Sequence, residues 1–251
     1  MNVTIVIVII TCIISFIAFS NQRVIDALIF NPPAIYYRKE WYRFFTCGLI
    51  HADIMHLAFN MFSFYVFGRI VENNFMQIFG SKGDLLYALM YIAALPACLI
   101  PTYVQHKENY SYRSLGASGA VSAVIFAGIF LNPTIGVSLI FIPIPIPGFI
   151  FGPVYLLITA YLSRRGGSYI NHSAHLWGAF FGIAFLIVTA FALTNFNPIT
   201  WFVNQVRSYW NNFFVSNIIA AKAGSINIEK NFFNVHINLC AFLLQIFNFI
   251  V

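Results

Sequence analysis

The feature that most constrains this chain is a succession of apolar runs separated by polar connections. Six stand out: Val3–Phe19, Asp53–Val71, Leu85–Val104, Ser118–Leu131, Phe149–Leu162 and Ala174–Leu193. Several approach the roughly 20 residues that a helix needs to cross a bilayer. A backbone in hydrocarbon must satisfy its own polar groups, which leaves helices or a closed barrel. These runs are continuous rather than alternating, which disfavours the barrel. Composition agrees, because 8% of the 251 residues are charged against about 25% in a soluble domain. The expectation is an all-α, polytopic membrane protein: a six-helix bundle over residues 1–194, followed by an amphipathic tail over 195–251.

The net charge is +6, but the 13 Lys and Arg are scattered through connections. No basic run resembles a nucleic-acid footprint, so membrane lipid is the expected surface partner. Cys12, Cys47, Cys98 and Cys240 are far apart with no CxxC and read as single apolar residues. No Lys or Arg precedes the first run and no A-x-A-like site follows, so it reads as a retained span rather than a signal peptide. Residues 21–52 form a long connection rich in aromatics and charge, suited to an interface.

Asp53 is an expected N-cap for the second span, and residues 72–84 read as a polar turn after it. Pro96 predicts a kink in the third span. The fourth span has 14 residues, about 21 Å of helix, so its start should lie below the membrane surface in a cavity. Pro143, Pro145 and Pro147 forbid helix, and residues 132–148 read as an interfacial loop. Asn197 and Pro198 open an amphipathic helix. Asn231, Asn234, Asn238, Gln245 and Asn248 share one stripe of the remaining tail, which is an interfacial helix or a seventh span.

Polar groups inside spans mark function or helix contacts. Ser118 opens span four. His175 opens span six. His56 and Asn60 lie four residues apart on span two, hence on one face. A lone serine here is most often a cap or a small packing residue, and a lone histidine a hydrogen-bonded structural one. Topology adds a constraint: spans two, four and six run in one direction, so all four residues share one side and one depth. Gly119, with Gly178 and Gly182 in a GxxxG, lets spans four and six approach. Serine needs a base to act as a nucleophile, and histidine has the pKa range to serve. The Asn60 amide, the His56 ring and the Ser118 backbone N–H are candidate donors to an oxyanion. No Asp or Glu completes a triad, which leaves a Ser–His dyad.

Assembled in this order, the residues resemble the rhomboid intramembrane serine proteases, of the bacterial type, over roughly residues 40–182. Trp41-Tyr42-Arg43 is similar to the family's Trp-Arg element. His51, His56 and Asn60 fit HxxxxHxxxN, Gly116-Ala117-Ser118-Gly119 fits GxSG, and Ala174-His175 with Gly178 and Gly182 fits AHxxGxxxG. The resemblance implies a serine endopeptidase without cofactor or metal that cleaves single-pass transmembrane substrates. It makes Ser118 the nucleophile, His175 the base, and His56, Asn60 and Ser118 the oxyanion hole. It also implies a multi-pass protein of the bacterial inner membrane, with span five and the first connection bordering substrate entry. Where some members carry an aromatic four residues after the nucleophile, this chain has Ser122, so what orients His175 stays open.

The resemblance implies an extracytoplasmic catalytic side, and this is the expected orientation because much of the opposing Lys and Arg excess lies in one long connection. Eight Lys and Arg lie on the catalytic side and five on the other, which by the positive-inside rule puts the site in the cytoplasm. Two other readings compete. One is an inactive relative that binds and escorts membrane proteins. The other is a metal site built from His51, Asp53, His56, His172 and His175.

Overall fold

A computed structural model describes residues 2–139, 142–165 and 170–222. The chain is mainly helical. Helix α1 is Val3–Phe19, and three short helices follow within the first connection, α2 (Gln22–Leu28), α3 (Pro32–Arg38) and α4 (Arg43–Thr46). Then come α5 (Ile54–Phe79), α6 (Gly83–His106), α7 (Ser118–Leu131), a hairpin of β1 (Gly136–Leu139) and β2 (Ile142–Pro147), α8 (Gly148–Arg165), α9 (His172–Leu193) and α10 (Pro198–Lys222). The stretch Ile54–His106 and helix α9 are long and apolar enough to cross a membrane. The outward faces are apolar as well, with Ile13, Phe16, Phe62, Val188 and Phe191 exposed. A helical bundle with a greasy exterior needs hydrocarbon rather than water around it.

Helix α7 lies at the centre, against α5, α6, α8 and α9. Eleven of its 14 residues are buried, which its small side chains permit. The close seam is with α9. A Cβ on Gly178 would stand 2.0 Å from the Gly119 carbonyl oxygen, and one on Gly182 would stand 2.1 Å from that of Ala123. Only glycine lets the two backbones touch there.

Three departures from the expected elements have physical causes. First, the expected polar turn over residues 72–84 does not begin at Glu72, because α5 continues to Phe79. Glu72 is buried and accepts the Val3 N–H at 2.7 Å, the Thr4 N–H at 3.3 Å and the Thr4 hydroxyl at 2.8 Å. A carboxylate at a helix N-terminus satisfies donors that have no partner within the helix. Here it fastens α1 to α5, and the Thr4–Tyr87 hydroxyl contact at 2.9 Å extends the tie to α6. Second, the Ile-Pro stretch is a strand rather than a loop, with Val137 paired to Ile146 and Gly136 to Pro147. In a two-stranded hairpin a proline lacking its N–H can take an outward position. Third, α9 begins at His172, two residues before the expected start.

Asn197 accepts from the N–H groups of Ile199 and Thr200 and starts α10. The Trp201 indole donates to the Leu131 carbonyl at 2.8 Å, docking α10 on the end of α7. The Asn-rich stripe expected beyond it lies outside the described residues. The first connection is pinned by Arg43, which is buried and donates to the carbonyls of Asp26 and Ile29 and to the Glu40 carboxylate. Burial pushes the Glu40 carboxyl up, but Arg43 and Arg38 outweigh it and hold it below the ordinary carboxylate range.

Candidate active site

The segment before α7 is held from three sides. Phe30 and Ser114 exchange backbone hydrogen bonds at 3.0 and 3.1 Å, and the Gly116 N–H reaches the Cys47 carbonyl at 2.9 Å. The Ala117 N–H donates to His51 Nε2 at 3.4 Å. Since Nε2 accepts, His51 carries its proton on Nδ1 and gives it to the Ser15 hydroxyl at 3.0 Å, which donates in turn to the Leu49 carbonyl. Gly116 has φ +110°, a conformation that favours glycine. It also faces the His56 ring so closely that a Cβ would fall 2.8 Å from Cε1.

Ser118 follows as the first residue of α7. Its hydroxyl does not cap the helix. It lies 2.7 Å from His175 Nε2. Both residues are half-buried, so the pair stays reachable. His175 stands in the first turn of α9, whose start is set by Asn171. That side chain accepts the Ala174 N–H at 3.0 Å and the Thr102 hydroxyl of α6 at 3.3 Å. The expected approach of spans four and six thus has a geometric cause in the Gly178 and Gly182 seam.

Asp53 caps α5 by accepting the His56 N–H at 2.8 Å. His56 Nδ1 accepts from the Ala52 N–H at 3.4 Å, which leaves the ring hydrogen on Nε2, the atom beside Gly116. Asn60 is 7% exposed, and its amide donates one N–H to the His56 carbonyl at 2.9 Å. His56 therefore sits directly beside the nucleophile segment, while Asn60 stands one turn further along α5. Among the described residues no set of three or more His, Cys, Asp or Glu is arranged to hold a metal ion.

Sequence reasoning missed what two residues do here. His51 was legible as part of a motif and as a candidate metal ligand, not as the acceptor of the Ala117 N–H. Tyr155 of α8, whose hydroxyl lies 3.4 Å from His175 Nδ1, was invisible. The one available signal was Ser122, whose small side chain leaves room for a ring from another helix.

A helical membrane protein with a serine and a histidine joined at the start of two touching helices is the class that fold and site define. The family follows from comparison with known proteins. The rhomboid domain model matches residues 38–191, and the chain belongs to the rhomboid family. It is 33% identical over 145 residues to RHOMBOID-like protein 12, mitochondrial, of Arabidopsis thaliana, covering 53% of this chain and 42% of that protein. It is 28% identical over 151 residues to Rhomboid-like protein 11, chloroplastic, of the same plant, covering 57% and 50%. The Rhomboid protease GlpG of an Enterobacter species is 30% identical over 118 residues, covering 45% and 38%. The chain thus spans half or less of the length of these relatives. An integral membrane protein is supported. The expected bacterial inner membrane is not, because two of these relatives are by name organellar.

Proposed function

We propose that this protein is an intramembrane serine endopeptidase acting through a Ser118–His175 dyad on transmembrane segments of other proteins. The observation that carries the reading is the 2.7 Å contact between the Ser118 hydroxyl and His175 Nε2. In that geometry Nε2 takes the hydroxyl proton as Oγ attacks the scissile carbonyl carbon. The carbonyl oxygen becomes an oxyanion, received by the Ser118 backbone N–H, His56 Nε2–H and the Asn60 amide. The imidazolium returns the proton to the leaving amine as the C–N bond breaks. Water then enters, His175 deprotonates it, and the acyl-enzyme is hydrolysed.

The bundle of α1, α5, α6, α7, α8 and α9 forms the six-span unit of residues 1–194, and α10 begins the appended tail. With 14 residues, about 21 Å of helix, α7 is too short to cross a bilayer alone, and a start within the membrane would suit a bond cut just under its surface. An escort without activity is the lesser reading, since such relatives usually lose the serine or the histidine and this chain keeps Ser118 and His175. Purified protein is mixed with a transmembrane substrate, with and without a chelator, and compared with Ser118→Ala and His175→Ala. Either substitution should nearly abolish cleavage, and the chelator should change nothing. Full activity in Ser118→Ala refutes the proposal.

A further inference from the structure

A base that accepts at Nε2 must hold its proton on Nδ1, and that N–H needs an acceptor. In many serine hydrolases a carboxylate supplies it and fixes the tautomer. Here the side-chain hydrogen bonds of His175 go to Ser118 and Tyr155, and among the described residues no Asp or Glu bonds to its ring. The group that faces Nδ1 is the Tyr155 hydroxyl, 3.4 Å away.

We propose that Tyr155 is the positioning residue of the dyad: its hydroxyl oxygen accepts the Nδ1–H of His175 and its own hydrogen passes to Ser122 or Thr159. The proposal rests on the reading of Ser118 and His175 as nucleophile and base. Both onward partners are at hand: the Ser122 hydroxyl of α7 and the Thr159 hydroxyl, one turn further along α8, act on the Tyr155 hydroxyl. The ring is wedged by aromatic contacts, 5.6 Å between centroids to Phe126 of α7 and 5.8 Å to Phe151 of α8. Ser122 stands one turn after Ser118 on α7, and its small side chain leaves the space that the ring occupies.

The direction of this relay matters. If the tyrosine donated to Nδ1, the ring hydrogen would move to Nε2 and Ser118 would face a donor instead of a base. An onward acceptor for the tyrosine hydrogen is what sets the productive sense. The contact at rest is long for a neutral hydrogen bond and should tighten when His175 becomes charged. Because the orienting group comes from a different helix, the state of α8 enters the chemistry. Pro153 lies two residues before Tyr155 and removes one backbone hydrogen bond from that turn. A shift of α8 there carries the acceptor away from the base.

The test uses the full chain in detergent with a transmembrane substrate, rates being normalised to sites titrated by a serine-directed phosphonate. Tyr155→Phe keeps the ring and should lower kcat about 3- to 10-fold, the equivalent of one hydrogen bond. KM and the thermal unfolding midpoint should be unchanged, and the phosphonate labelling rate should fall in parallel. Ser122→Ala should lower kcat less, and the double variant should be no slower than Tyr155→Phe, since both act through one relay. Wild-type kcat in Tyr155→Phe, with Ser118→Ala inactive, overturns the role of Tyr155 and leaves the protease reading standing. A wild-type protein that neither cleaves nor labels overturns both.

Discussion

Gly178→Ala is the sharpest test of how this site is built. The added methyl would lie 2.0 Å from the Gly119 carbonyl oxygen, 2.8 Å from its carbon and 3.3 Å from its Cα. The obstacle is main chain of a buried helix, so no rotamer change relieves it. Real Cβ contacts stay beyond 3.0 Å, so α7 and α9 must separate by about 1 Å at this level. Gly178 lies one turn from His175 and Gly119 follows Ser118, so most of that separation falls on the dyad. It would stretch the 2.7 Å contact to beyond about 3.6 Å, where it is no longer a hydrogen bond. Misplacement of reacting groups by 1 Å costs about 10²-fold in rate. The overpacking itself costs about 1–3 kcal/mol. Cleavage rate and phosphonate labelling rate should fall together by about 100-fold in protein that is still folded by thermal melting. Gly178→Ala with at least half of wild-type activity and an unchanged midpoint would refute the claim that backbone contact sets the dyad distance.

Further outcomes follow from other contacts. Glu72→Ala strips the α1 N-terminus of its acceptors and should cost about 3 kcal/mol, read as a lower midpoint in detergent with kcat per folded site little changed. Asn60→Ala and His56→Ala should each lower kcat about 10- to 10³-fold with smaller effects on KM, if both meet the oxyanion. Burial first, then the nearby His56, holds the His51 imidazole down at about 3, against about 6.5 when unfolded. Below pH 6.5 the unfolded chain binds a proton that the folded chain refuses. The stability contributed by neutral His51 is therefore complete above that pH and is lost as pH falls toward 3. His51→Gln keeps an acceptor for the Ala117 N–H and should flatten that dependence in unfolding midpoints measured from pH 7 to pH 4.

The Ser118–His175 contact was legible because both residues sit in distinctive surroundings and because the parity of spans sets their side. The glycines on α9 were legible for the same reason: few forces other than close approach select Gly at four-residue spacing in a span. The length of α5 was not. Glu72, Asn73 and Asn74 look like a turn by polarity alone, and only the orphan N–H groups of α1, far away in sequence, explain a buried carboxylate. The hairpin over the Ile-Pro alternation was hidden because proline excludes helix but does not by itself choose between loop and edge strand. Tyr155 was hidden because its role depends on which helices are neighbours, which no local pattern encodes.

The Gly178 and Gly182 seam has a consequence for how such a site can vary. Where two main chains touch, there are no side-chain rotamers between them to absorb a change. The α7–α9 spacing is a step rather than a dial, and most substitutions in it should switch the chemistry off instead of adjusting it. Graded variation in rate or preference must then come from the parts that reach the dyad through side chains alone, which are α8 with Tyr155 and α5 with His56 and Asn60. One half of the site is machined to a fixed tolerance, and the other half is where natural variants have room to differ.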